Sequence, residues 1–187
     1  MKNTMRKKTI LTPAIILILT GCLSPSVEKN ILYTESFEDE ICLSCKNANA
    51  LYIERSEDWA SDESSSLLLA FDSLSENESA VFSFEPLQKI KLSELKKIKC
   101  DLYNPTFYTP GIYLNLVTNQ NKMIKSNAFK CSFGENEEIE FCFSESAENK
   151  PDDKNEAEDF IESIEIIIEG ETYGFELYVD NIKFLQH

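Results

Sequence analysis

Apolar side chains recur at every second position through much of the chain. Ile98, Cys100 and Leu102 form one such series, Ile112, Leu114 and Leu116 a second, and Ile164, Ile166 and Ile168 a third, with polar or charged neighbours between several of them. A period of two sends alternate side chains to opposite faces of an extended strand, so each series predicts a strand with one buried face. Polar clusters separate the runs and give ten predicted strands, at residues 31–34, 50–55, 66–71, 80–84, 97–103, 111–118, 122–130, 138–143, 160–169 and 173–184. No segment holds a stripe of helical period for about twelve residues, which excludes a helical bundle, and only residues 93–97 suit a helical turn. One-sided faces of this kind need a second sheet to cover them, so the predicted fold is all-β, a two-sheet antiparallel sandwich. Two stretches break the pattern. Residues 54–65 are acidic and serine-rich and carry the single tryptophan, Trp59, while residues 144–159 are polar and mostly acidic, with Pro151, and are predicted as a surface loop.

The amino-terminal end follows a different rule. Lys2, Arg6, Lys7 and Lys8 precede an apolar stretch at residues 10–19, too short to remain in a bilayer as a spanning helix, and Leu19-Thr20-Gly21-Cys22 closes it. This ending resembles the lipobox of bacterial lipoproteins. The resemblance implies that residues 1–21 are a signal peptide, that Cys22 becomes an acylated amino terminus, and that the lipid bilayer is a partner. Two or three acyl chains on one cysteine anchor a protein stably where one chain is marginal. Residues 22–30 then make the lipidated cysteine and a tether, and residues 31–187 a single domain. Leu23 is not an aspartate, so nothing marks the chain for retention at an inner membrane. The expected location is the bacterial cell envelope, at the outer membrane or cell surface.

Charge narrows the partners. The full chain of 187 residues carries 33 acidic and 18 basic residues; four of the basic ones lie in the leader, which leaves 14 against 33, a net charge of −19. Nucleic acid is a poor partner for such a surface. After the leader one arginine, Arg55, and one histidine, His187, remain, so bidentate phosphate recognition and imidazole acid–base chemistry lack their usual carriers. The expectation is a protein without catalytic activity, and its carboxylates are too numerous to single out a glycosidase pair.

Besides Cys22 there are five cysteines, and an odd number leaves at least one thiol outside any intrachain disulfide. Cys131 and Cys142 flank the turn-like run Gly134-Glu135-Asn136-Glu137-Glu138 and would face each other if a hairpin formed there. Two fates stand open for them, a disulfide or a pair of buried reduced thiols. Cys42-Leu43-Ser44-Cys45 has the spacing of a redox motif without its flanking residues, and the cysteines are too scattered for a zinc cluster.

Three motifs then occur in order. Ser36-Phe37-Glu38-Asp39 opens the domain, Glu63-Ser64-Ser65-Ser66-Leu67-Leu68-Leu69 follows the first polar loop, and Phe175-Glu176-Leu177-Tyr178-Val179-Asp180-Asn181-Ile182 lies in the last strand. Together with Cys100-Asp101-Leu102-Tyr103-Asn104-Pro105 they resemble the galactose-binding-like jelly rolls found as carbohydrate-binding modules, over about residues 31–185. The resemblance implies a jelly-roll sandwich with its first and last strands adjacent. It also implies a structural calcium ion held by Glu38 and Asp180, with further oxygens from backbone and water; the alternative is a pair of solvated carboxylates.

A glycan site of this kind needs a flat aromatic platform with hydrogen-bonding side chains around it. Trp59 is one candidate, either as a platform or as a loop aromatic folded over the sandwich. A second is the cluster Tyr103, Asn104, Phe107, Tyr108 and Tyr113, on a loop stiffened by Pro105 and Pro110. Two functions suit these features: a non-catalytic, lipid-anchored module that binds glycan, or a structural or adaptor lipoprotein that contacts another envelope protein.

Overall fold

The computed structural model describes residues 30–61, 64–143, 158–174 and 176–186. The leader, Cys22 and most of the acidic segment after residue 143 lie outside the described residues. Among the described residues thirteen strands form: β1 Ile31–Glu35, β2 Leu43–Cys45, β3 Ala50–Ser56, β4 Ser66–Phe71, β5 Ser79–Phe84, β6 Ile90–Lys91, β7 Leu95–Asn104, β8 Gly111–Thr118, β9 Met123–Lys125, β10 Phe129–Lys130, β11 Gly134–Cys142, β12 Phe160–Glu169 and β13 Glu176–Gln186. No described helix is long and apolar enough to cross a membrane.

All pairings are antiparallel and fall into two sheets. The six-stranded sheet runs β11-β7-β13-β4-β3, and β1 joins the lower half of β13 at Ile182 to Leu185, beyond the reach of β4, which pairs with residues 176–179. First and last strands are therefore adjacent. The seven-stranded sheet runs β10-β8-β12-β5-β2, with β6 against β12 and β9 against β8. This is an all-β jelly-roll sandwich.

The alternating series supply its interior. Ile98 and Leu102 of β7, Leu177, Val179, Ile182 and Phe184 of β13, and Leu67, Leu69 and Phe71 of β4 meet Ile112, Leu114, Leu116, Ile164, Ile166, Ile168, Phe82 and Phe84 of the other sheet. Each fully buried aliphatic or phenyl group contributes about 1.5–3 kcal/mol. Phe37 enters the same core from the connection after β1. It adopts a left-handed backbone (φ 61°) that turns its ring edge-on to Phe84 at 5.8 Å.

The structure departs from the predicted elements in three respects. Short strands β2 and β6 were too brief to show a period, and residues 122–130 divide into β9 and β10. The helical turn is a single 3-10 turn at Leu92–Glu94, just ahead of its expected position. The third departure corrects the hairpin over Gly134 to Glu138. That run is the start of β11, which pairs with β7 from Gly134 to Cys142 through a bulge between Asn136 and Ile139. Asp101 of β7 draws the run into the sheet, its Oδ1 accepting the Glu138 N–H at 2.7 Å, while the Asn136 amide donates locally to the carbonyls of Ser132 and Gly134. Cys131 is consequently buried before the strand while Cys142 is exposed at its far end, and both are free thiols. The Cys131–Cys142 disulfide does not form.

Candidate functional site

Strand registers define two ends of the sandwich. Ile31 pairs with Leu185 at one end, whereas Glu176, Asn104, Gly111 and Gly134 lie together at the other. At about 3.3 Å per residue, the ten steps of β13 separate the ends by about 33 Å. The chain enters at the first end, and the connection between β7 and β8 crosses the second.

That connection is held by Asn104. Its side chain is wholly buried; its amide donates to the carbonyls of Tyr108 (2.8 Å) and Cys131 (3.2 Å), and its Oδ1 accepts both the backbone N–H and the hydroxyl of Thr106 at 2.9 Å. Asn104, expected among the ligand contacts, is a positioning residue, because a fully buried amide with these bonds has nothing left to offer a ligand. What it positions is Phe107, 87% exposed and stacked on Phe133 at 4.7 Å and 22°. Tyr108 packs at 5.5 Å against Tyr173, itself 67% exposed. Beside them lies a depression of about 410 Å³ lined by Leu51, Tyr52, Ala70, Phe71, Pro105, Thr106, Gly174 and Glu176. The Tyr52 hydroxyl donates to Glu176 Oε1 at 3.1 Å, which raises the Tyr52 pKa. Gly174 lies so close to β4 that a Cβ there would stand 2.8 Å from the Phe71 carbonyl oxygen. A row of exposed rings beside a shallow groove with tyrosine hydroxyls and a carboxylate can stack on one face of a flat ligand and hydrogen-bond its rim.

The other predicted aromatics lie elsewhere. Trp59 folds back on the outer face of the six-stranded sheet, stacked on Tyr103 at 5.6 Å and edge-on to Tyr178 at 6.3 Å. Tyr103 therefore belongs with Trp59 and not with Phe107. Tyr113 stands on the outer face of the seven-stranded sheet, with the Lys125 ammonium 3.5 Å above its ring centre. Lys125, Asn115, Glu165, Ser83 and Ser44 continue this face as one cross-strand row, and a polar depression of about 420 Å³ opens beside Ser44, Ser83 and Ser163. Sequence reasoning missed Phe133, Tyr173 and Tyr52 as partners of the loop. Phe133 lies just before the bend at Gly134 (φ 88°) and is 55% exposed.

The two carboxylates expected to hold calcium have separate partners. Glu38 Oε1 accepts the Ser64 N–H at 3.0 Å, and Oε2 faces the Ser64 hydroxyl at 3.0 Å and the Arg55 guanidinium at 3.3 Å. Asp180 is buried opposite Asp101, and the Ser61 hydroxyl lies between them, 2.7 Å from Asp101 and 3.1 Å from Asp180. Among the described residues no three His, Cys, Asp or Glu side chains gather where they could hold a metal ion. The two carboxylates expected to share one calcium ion are thus engaged separately, Glu38 by Arg55 and Ser64 and Asp180 by Ser61.

No protein-family model and no curated protein matches the sequence. Solved structures match its fold. The family 11 carbohydrate-binding module of the cellulosomal cellulase Lic26A-Cel5E of Clostridium thermocellum superposes with a TM-score of 0.57 at 13% identity, over 84% of this chain and 94% of that one. The carbohydrate-binding and catalytic modules of the Clostridium thermocellum xylanase 10B give 0.57 at 10% identity, over 85% of this chain and 29% of that one. An exo-beta-agarase gives 0.55 at 15% identity, over 84% and 25%. The chain thus spans under a third of the xylanase and agarase chains, and at these identities the likeness is one of fold. The fold is a jelly roll similar to that of the family 11 carbohydrate-binding module.

Proposed function

We propose that the protein is a non-catalytic carbohydrate-binding lipoprotein whose glycan site is the aromatic end of the sandwich. The observation that carries this reading is the Phe107 ring, 87% exposed and backed by Phe133 on a loop that a buried asparagine holds in place. A solitary exposed phenylalanine is unremarkable; one stacked and fixed beside a groove is suited to a sugar face. The fold shared with carbohydrate-binding modules supports the same reading. Anchoring through Cys22 would tether the domain by its first end, since Ile31 pairs with Leu185 there, and would turn the aromatic end away from the bilayer.

The test uses the full chain carrying Cys22→Ser, probed against a panel of soluble glycans and polysaccharides. Saturable binding that falls about tenfold or more in Phe107→Ala, equivalent to about 1.4 kcal/mol, and persists in Trp59→Ala is the expected result. Binding that survives Phe107→Ala would move the site off the aromatic end. A blank from folded protein would leave the adaptor reading, in which an envelope protein covers the same surface.

A further inference from the structure

We propose that the Arg55 guanidinium serves as the built-in cation of the first loop junction, so that this jelly roll needs no calcium to hold it. Two segments converge on the group. From the end of β3, Nη1 donates to the backbone carbonyl of Glu38 at 2.8 Å, Nη2 reaches the Glu38 carboxylate at 3.3 Å, and Nε donates to the hydroxyl of buried Ser65 at 2.7 Å. A backbone carbonyl, a carboxylate and a hydroxyl are the oxygen donors a hard divalent cation selects. Here a planar cation takes all three, and its fixed fork suits donors spread over two chain segments better than a single ammonium does. The Glu38 carboxylate also receives the N–H and hydroxyl of Ser64, which ties the connection after β1 to the chain just before β4. Trp59 lies on the same loop, between β3 and β4, so the junction also closes the ends of the segment that carries it. Arg55 is the sole arginine after residue 6 in a chain with 33 carboxylates, and it takes the Glu38 carboxylate, one of the two that the family resemblance assigned to a metal.

The full chain with Cys22→Ser is unfolded thermally in chelator and in millimolar calcium, as wild type at residue 55 and as Arg55→Gln, with hydrogen exchange followed at the Ser64 amide. The arginine protein is expected to unfold at the same temperature in both buffers and to show no calcium heat in a calorimetric titration. Arg55→Gln is expected to unfold about 3 °C or more lower and to exchange Ser64 faster. A midpoint of the arginine protein that falls in chelator and returns with calcium would overturn the proposal, as would an Arg55→Gln protein indistinguishable from its parent. Should Arg55→Gln not fold, the chelator and titration arms on the arginine protein decide. Neither arm depends on glycan binding, so this inference and the glycan reading fail separately.

Discussion

Replacing Asn104 by alanine should unsettle the aromatic end from beneath. The substitution removes four hydrogen bonds and strands their partners: the Cys131 carbonyl in the interior, and the Tyr108 carbonyl and Thr106 N–H nearer the surface. A buried polar group deprived of its partner costs about 1–3 kcal/mol, and one that can turn to water costs less. The total comes to about 3 kcal/mol, or about 6–12 °C in the thermal midpoint at about 2–4 °C per kcal/mol for a chain of this size. Denaturant unfolding measures the first quantity, and hydrogen exchange at the Thr106 amide reports whether the loop has come free. Asn104→Asp is the informative companion. It keeps the shape and both acceptor bonds but sets a carboxylate oxygen against two carbonyl oxygens, so it should destabilise at least as much as alanine. An alanine variant within about 0.5 kcal/mol of the parent, with Thr106 still protected, would refute the assignment of Asn104 as the residue that positions Phe107.

Thiol labelling of the native protein should divide the cysteines by burial: Cys42, Cys45 and Cys142 are exposed and should react, while Cys100 and Cys131 should react only on unfolding. Burial pushes the Cys131 thiol up to about 12 and the Cys100 thiol well above its usual range, so neither presents thiolate at neutral pH, and prompt labelling of either would contradict the core packing. Stability should also fall with acid. Glu38 is held below its ordinary value of 4.5 by the Ser64 N–H and then by the Ser64 hydroxyl and Arg55, and Glu140 by its bond to Lys97 and then by Lys99. A depressed carboxyl contributes stability that is present above the unfolded value and lost as pH drops through the folded one. Denaturant midpoints should therefore hold steady down to about pH 4.5 and decline below it, less steeply in Glu140→Gln; a flat profile would count against both pairings.

The period-two series determined the fold class without help, because one-sided strands in a short chain have few ways to hide their apolar faces. Strands β8 and β12 occupy the very residues predicted around two alternating series, at Gly111–Thr118 and Phe160–Glu169, and β4, buried at every position, the apolar run predicted at Ser66–Phe71. Local pattern failed where long-range partners override it. Gly134 to Glu138 has the composition of a turn, yet Asp101, distant in sequence, takes the Glu138 N–H and draws the run into β11. The same limit applies to the site. Aromatic residues in a proline-bounded loop were visible in the sequence, but whether a ring is spent inside or shown to solvent depends on what the fold lays against it. Tyr103 met Trp59, Tyr113 met Lys125 and Asn104 sank beneath the loop, while Phe107 was left outward with Phe133 behind it. Composition likewise isolated Arg55 as a lone cation among carboxylates; only the meeting of β3 with the connection after β1 gave it Glu38 and Ser65 to hold. Periodicity is a property of neighbours along the chain and survives in sequence, whereas exposure and pairing belong to residues that folding brings together from far apart.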